Sequence, residues 1–453
     1  MLRLMTVCLF GLLLFGADQT ALDRYVAQPD SAYRWQLVRT VPSFGATIYQ
    51  LEVVSQRWLT AEQVDQPEWR HWVTVVRPAR VTTSTALLLI NGGSNQANPP
   101  APDALLLLAA QGGSVVVDMA QVPNQPLRFA GEERRRSEDA IIAYSWRKYL
   151  DTGDERWPAL LPMTKAVVRT MDAVEEFLAK LESNPVRVTN FIVGGGSKRG
   201  WTTWLAAAVD PRIVAIAPLV FDALNIEPSF QHHYRCYGFW APAVKDYEEA
   251  GIFGWFGRPE LRNSLEILDP YEYRDRFMMP KYLVHATGDE FFAPDSTRFY
   301  FDGLVGEKYL RYVPNVAHGL GDGTEAATGV LAWAQAVMQN FPRPRFYWKM
   351  IRGEGKLLVR TIDTPLEVTL WQASNPDARD FRYETIGAAW TSTPLTGEDN
   401  IYFVSLPPPA RGYRAFFVEL RFPGPGALPL VFSTEMVVTP DDYPFEIPGE
   451  IVK

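Results

Sequence analysis

Three residues far apart in this 453-residue chain have the types and the order needed to turn a hydroxyl into a nucleophile: Ser197, Asp289 and His318. Ser197 stands in Val188-Thr-Asn-Phe-Ile-Val-Gly-Gly-Gly-Ser-Lys-Arg-Gly-Trp-Thr202, which reads as a buried strand, a tight glycine turn and a helix start. A serine at such a corner lies over the helix N-terminus, where amides face developing negative charge. The general spacing of this elbow is G-x-S-x-G. Gly195 fills the first glycine position, Arg199 the second, and Gly200 follows one place later. A serine hydroxyl is a poor nucleophile at neutral pH, so it needs a base within hydrogen-bond reach and a carboxylate to orient that base. Asp289 follows an apolar run and a glycine, and His318 follows the next apolar run in Pro-Asn-Val-Ala-His.

The order serine, acid, histidine is the one used by α/β-hydrolases. Glu290 is the alternative acid, because the spacing to Phe291-Phe-Ala-Pro294 fits either carboxylate; Asp289 is preferred. Stabilising an oxyanion takes two backbone amides. The amide of Lys198 is one, and the loop Asn91-Gly92-Gly93-Ser94 supplies the other from Gly93 or Ser94, with Gly92 letting the backbone approach the substrate. Lys198 and Arg199 put two positive charges beside the serine, and pairing with Glu132, Glu133 or Asp139 is preferred over binding of an acidic substrate group. His232 and His233 read as residues of an aromatic-rich insert and not as metal ligands. The chemistry requires no metal and no organic cofactor.

The elements that must hold these residues follow from apolar periodicity. Residues 46–54 and 69–76 alternate as antiparallel strands, and 86–90, 114–119, 188–193, 213–221, 280–286 and 308–313 are buried runs ending near the candidate residues. Helical patterns separate them at 102–111, from Ser137 as cap to about Tyr149, at 163–181 and at 323–338. Strand and helix in alternation predict a mostly parallel sheet with right-handed crossovers. Residues 223–275 break the rhythm and are rich in aromatics. They predict an inserted helical cap over the strand ends, with extra core as the alternative. After Phe341-Pro-Arg-Pro-Arg the pattern changes to short strands parted by proline and glycine, which predicts a C-terminal antiparallel β-sandwich over 343–453 beside a hydrolase domain over 22–342.

Composition sets the remaining bounds. A net charge of −8 with no long basic block argues against a nucleic-acid partner. Residues 1–17, with Arg3, the apolar run Val7 to Phe15 and Gly16-Ala17, read as a secretory signal peptide, an uncleaved anchor being the alternative. The expected location is periplasmic or secreted, with no stable membrane insertion after cleavage. Cys236 is then the one cysteine of the mature chain, so no internal disulfide forms.

Gly-Gly-Ser197-Lys-Arg-Gly-Trp-Thr-Thr-Trp, Thr287-Gly-Asp-Glu-Phe-Phe-Ala-Pro-Asp-Ser and Val313-Pro-Asn-Val-Ala-His-Gly together resemble the PhoPQ-activated pathogenicity-related family of bacterial proteins. Leu22-Asp-Arg-Tyr-Val and Arg136-Ser-Glu-Asp-Ala are similar too. The resemblance implies an exported α/β-hydrolase-like protein linked to envelope defence or virulence, with the family's serine, acid and histidine at Ser197, Asp289 and His318. It implies no substrate. The residues themselves point to hydrolysis of a small-molecule ester or a peptide. A non-catalytic binding protein on the same fold, with the C-terminal sandwich as recognition module, is the rival reading.

Overall fold

A computed structural model of the chain describes residues 19–101, 104–110 and 112–449. The expected leader at 1–17 lies outside the described residues. Nine strands come first: β1 (Arg34–Ser43), β2 (Ala46–Arg57), β3 (Glu68–Pro78), β4 (Thr85–Ile90), β5 (Val116–Met119), β6 (Asn190–Gly196), β7 (Ile213–Leu219), β8 (Lys281–Ala286) and β9 (Lys308–Val313). Helices α1 (Ala21–Ala27), α2 (Ala104–Ala110), α3 (Asp139–Thr152), α4 (Leu160–Ala179) and α5 (Lys198–Val209) precede β7. Helices α6 (Ile226–Tyr237), α7 (Lys245–Glu249) and α8 (Pro259–Leu268) lie between β7 and β8, and α9 (Thr324–Met338) follows β9.

The strands lie in the order β1-β2-β3-β5-β4-β6-β7-β8-β9. The pairs from β1 to β5 in that order are antiparallel, and those from β5 to β9 are parallel. Parallel neighbours need long crossovers, and the helices supply them. The β-branched and aliphatic runs of β4 to β7 are buried because helices cover both faces of the sheet. On one face Trp146, Val167, Met171 and Trp204 from α3, α4 and α5 fill the core. On the other, Leu106 of α2 and Trp333 of α9 do so. This strand order with its crossovers is the α/β-hydrolase fold.

The C-terminal strands are β10 (Phe346–Ile351), β11 (Lys356–Thr361), β12 (Glu367–Asn375), β13 (Thr391–Pro394), β14 (Ile401–Ser405), β15 (Tyr413–Phe422), β16 (Leu430–Ser433) and β17 (Val437–Thr439), with the one-turn helix α10 (Tyr383–Ile386) between β12 and β13. β10, β11 and β14 make a three-stranded antiparallel sheet. The others form an antiparallel layer that continues the central sheet, because β16 pairs with β9 at Ser433 and Leu310. Alternation along β11 turns Leu357 and Val359 inward, where they share a core with Val368, Leu420 and Phe432.

Register brings the chemistry-bearing loops to one rim. Ile90 lies opposite Gly195, so the chain leaving β4 runs beside the end of β6. Ala286 lies opposite Val313, so the segments carrying Asp289 and His318 leave β8 and β9 side by side. Within the insert, Trp240 stacks on Phe253 with ring centroids 3.7 Å apart. Phe253 and Phe256 join the same core as α3 and α5.

Candidate active site

Ser197 is the N-cap of α5 and holds φ 58° and ψ −125°. A non-glycine residue in this region stores about 1–3 kcal/mol of strain, which the packing around it must offset. Two glycines explain the spacing of the turn. A Cβ on Gly195 would lie 2.8 Å from Cβ of Arg199, and one on Gly200 would lie 2.9 Å from the carbonyl oxygen of Leu219. The second glycine therefore serves the close approach of α5 to β7, and position 199 is left to an arginine. The amide of Ser197 donates to Leu219 O at 2.8 Å. The amide of Lys198, the first of the helix, has no intrahelical acceptor.

The acid and the imidazole meet directly. His318 Nδ1 lies 2.8 Å from Asp289 Oδ2 and 3.0 Å from Oδ1. Glu290, the alternative acid, instead accepts the backbone N–H of His318 at 2.9 Å. Burial disfavours the imidazolium, but the Asp289 charge and hydrogen bond and the Glu290 charge outweigh it, so the pKa of His318 is raised from 6.5. Nε2 of His318 is buried and has no hydrogen-bond partner among the described residues. No hydrogen bond joins it to Ser197 Oγ. Two contacts tie the His318 segment to the elbow. Phe291 sits 4.2 Å from the His318 ring, centroid to centroid, and lines a cavity with Ser197. Gly319 and Leu320 line another with Gly194, Gly195 and Gly196. An imidazole fixed at Nδ1 and free at Nε2 can accept a proton from a hydroxyl brought to it, and such bonds often tighten only when substrate binds.

The loop after β4 is oriented by its carbonyls. Gly92 O accepts from Gln121 N at 2.8 Å, Gly93 O from Gln125 Nε2 at 3.2 Å, and Ser94 O from Gln121 Nε2 at 3.1 Å. Gly93 has φ 109°, a conformation open mainly to glycine. The amides of Gly93 and Ser94 donate to no hydrogen bond among the described residues. They and the Lys198 amide are thus available to an oxyanion.

Sequence reasoning assigned Lys198 and Arg199 to Glu132, Glu133 or Asp139. Asp139 is a partner, 3.0 Å from Lys198 Nζ, but the central carboxylate is Glu138. It lies 2.9 Å from Lys198 Nζ and 2.6 Å from Arg199 Nη2. Glu132 pairs with Arg136 instead. Burial pushes the Glu138 carboxyl up, and the Arg199 hydrogen bond with the Lys198 charge pushes it further down, to about 2. Nor does Ser137 cap α3. Glu138 is the N-cap, with φ 55° and ψ −130° and no side-chain cap bond. Its carboxylate is committed to the two cations and to Gln125 Nε2 at 2.6 Å. The signal for Glu138 was its place beside Asp139 in an acidic helix entry.

His232 and His233 lie on α6. His232 Nε2 is 2.8 Å from Asp295 Oδ1 and its Nδ1 is 2.8 Å from the Tyr443 hydroxyl. His233 accepts from Ala241 N at Nε2 and donates from Nδ1 to Phe291 O. No group of three or more metal-ligating side chains occurs among the described residues. Asp295 also binds Arg379 Nη2 at 2.8 Å, with both side chains buried. This pair ties the loop after Asp289 to the C-terminal strands, and nothing in the sequence announced it. No helix among the described residues is long and apolar enough to cross a membrane.

Known proteins resemble this chain in whole and in part. Autocrine proliferation repressor protein A of Dictyostelium discoideum is 37% identical over 456 residues, covering 94% of this chain and 92% of that protein. Among solved structures, an acetyl xylan esterase from Paenibacillus sp. R4 aligns with TM-score 0.48 at 16% identity, over 68% of this chain and 91% of that one. Acetyl xylan esterase 1 from Thermoanaerobacterium sp. JW/SL YS485 aligns with TM-score 0.46 at 15% identity, over 68% and 90%. The model of one family matches residues 22–382, spanning the elbow, both acids and His318, and the chain belongs to that family, the PhoPQ-activated pathogenicity-related proteins.

Proposed function

We propose that the protein is an exported serine hydrolase acting on carboxylic esters. Ser197 Oγ attacks the carbonyl carbon and its proton passes to His318 Nε2. The oxyanion takes hydrogen bonds from the amides of Lys198 and of Gly93 or Ser94. The imidazolium, held by Asp289, then protonates the departing alcohol as the carbon–oxygen bond breaks. Water, deprotonated by the same imidazole, cleaves the acyl-enzyme and restores Ser197 while releasing the carboxylic acid. The observation that carries this reading is the 2.8 Å bond between Asp289 and His318 Nδ1, which leaves a buried Nε2 without a partner among the described residues, in a chain whose Ser197 holds a strained helix-start corner. Export rests on the apolar stretch Val7 to Phe15 behind Arg3.

A second reading, a binding protein on a hydrolase fold, draws on the name of the Dictyostelium relative, which describes repression of proliferation and not a reaction. A methyl fluorophosphonate separates the two. Labelling that mass mapping places on Ser197 and that disappears in Ser197→Ala supports the hydrolase. A folded wild-type protein that stays unlabelled and turns over no ester supports the binding protein. Cleavage of peptides without ester turnover would replace esterase with peptidase.

A further inference from the structure

Two cavities meet the serine corner. One of about 300 Å³ touches Gly194, Gly195, Gly196 and Gly319 but not Ser197. The other, about 20 Å³, includes Ser197 itself. Its apolar walls are Trp201, Phe221, Ile226, Phe230 and Phe292. A water needs roughly 10–15 Å³ on this measure, so the space suits one group of about methyl size. The walls brace one another. Trp201 stacks on Phe221 with centroids 4.9 Å apart, and Phe221 meets Phe292 edge-on at 6.0 Å.

Apart from Ser197, the polar side chains that line this cavity are already engaged. Lys198 Nζ is paired with Glu138 and Asp139. Asp139 also accepts from the Tyr247 hydroxyl at 2.9 Å. Trp146 Nε1 donates to Ser264 Oγ at 2.8 Å and Trp201 Nε1 to Leu268 O at 2.6 Å. A charged or hydrogen-bonding acyl tail would lose its water there and gain no partner. From the size, the apolar walls and the engaged polar atoms, we infer that the site is selective for acetyl esters, with the acetyl methyl filling this cavity and longer or charged acyl groups excluded.

The inference rests on Ser197 as nucleophile, and the experiment keeps the two claims apart. Rates on p-nitrophenyl acetate, propionate, butyrate and hexanoate are measured on one preparation whose Ser197 is titrated with methyl fluorophosphonate. One misfitting methylene costs about 10–200-fold in such a pocket, so kcat/KM falls by at least about tenfold from acetate to butyrate. Phe230→Ala and Ile226→Ala remove wall atoms, and each raises the butyrate-to-acetate ratio by about tenfold in protein that still labels. Equal or rising rates along the series in labelled protein would overturn the size limit and leave the nucleophile standing. Unchanged chain-length ratios in both labelled, folded variants would also overturn it. A folded protein that neither labels nor hydrolyses any ester removes the nucleophile and the inference together.

Discussion

Glu290 holds the backbone N–H of His318 at 2.9 Å, while its sequence neighbour Asp289 holds the same residue's imidazole at 2.8 Å. Two adjacent carboxylates thus do different jobs on one histidine, one fixing where the residue sits and the other fixing its ring and tautomer. Asp289→Asn should lower kcat/KM for p-nitrophenyl acetate by about 10³-fold or more, because an amide supports the wrong tautomer and leaves the imidazolium uncompensated. Glu290→Gln keeps a carbonyl acceptor for the His318 amide and should cost less than about tenfold. A larger loss in Glu290→Gln than in Asp289→Asn would reverse the assignment.

The charge on Glu290 has a second effect, visible in pH profiles. It acts with Asp289 to raise the pKa of His318 from 6.5 despite burial. The base is active only when neutral, so kcat/KM should rise with pH through an apparent value above 6.5. Glu290→Gln should move that limb to lower pH, and an unmoved limb would remove Glu290 from the electrostatics of the site. Stability responds with the opposite sign. A raised imidazole pKa stabilises the fold fully below the ordinary imidazole value, and that contribution is lost as pH rises through the folded value.

Asp222 and Asp295 are both fully buried, and they hold their protons oppositely. Burial drives the Asp222 carboxyl well above 3.8, with one hydrogen bond, from Tyr300, in opposition and the charges of Asp289 and Asp295 adding to the rise. Burial acts on Asp295 too, but Arg379, His232 and Arg298 overcome it and hold that carboxyl well below 3.8. Asp222→Asn removes a carboxyl whose charged form burial already disfavours, and it should change unfolding free energy by about 1 kcal/mol or less. Asp295→Asn strands the buried guanidinium of Arg379 and should cost about 3–5 kcal/mol in urea unfolding. Equal effects of the two substitutions would contradict the opposite protonation states.

Much of this architecture was legible because burial leaves a strong mark on sequence. Residues 86–90 and 188–193 read as interior strands, whereas the triple glycine read as the turn itself: β6 runs on through Gly196, pairing Gly194 to Gly196 with Ala217 to Leu219, and the corner falls at Ser197. The acids were harder. The distance from Phe291-Phe-Ala-Pro294 is nearly the same for Asp289 and Glu290, and only the fold of the loop after β8 decides which carboxylate faces the ring. Glu138 was missed as the hub for Lys198 and Arg199 because a helix entry rich in charge looks solvated in text. Its backbone has positive φ and its carboxylate caps nothing locally, meeting Lys198 and Arg199 from a distant part of the chain instead. The Arg379–Asp295 pair left no trace, since neither residue has a local pattern that betrays burial. For the same reason the continuation of the central sheet through Ser433 and Leu310 could not be read from strands that look like an ordinary sandwich.

Arg199 offers the sharpest test of the loop after β4. A Cβ at Gly92 would overlap its guanidinium. That guanidinium cannot easily yield, because Nε donates to Val122 O at 2.5 Å and Nη2 binds Glu138 at 2.6 Å. In Gly92→Ala the loop must therefore move, and it takes the amides of Gly93 and Ser94 with it. A displacement of about 1 Å at an oxyanion donor costs about 10²-fold, so kcat should fall by that factor with KM for p-nitrophenyl acetate little changed. Arg199→Ala empties the space the new methyl needs. The double variant should then lose less than the product of the two single losses, a coupling that steady-state kinetics on all four proteins reads directly. Strict multiplication of the two losses would mean that Gly92 and Arg199 act independently. A full kcat in Gly92→Ala would remove this loop from the oxyanion site.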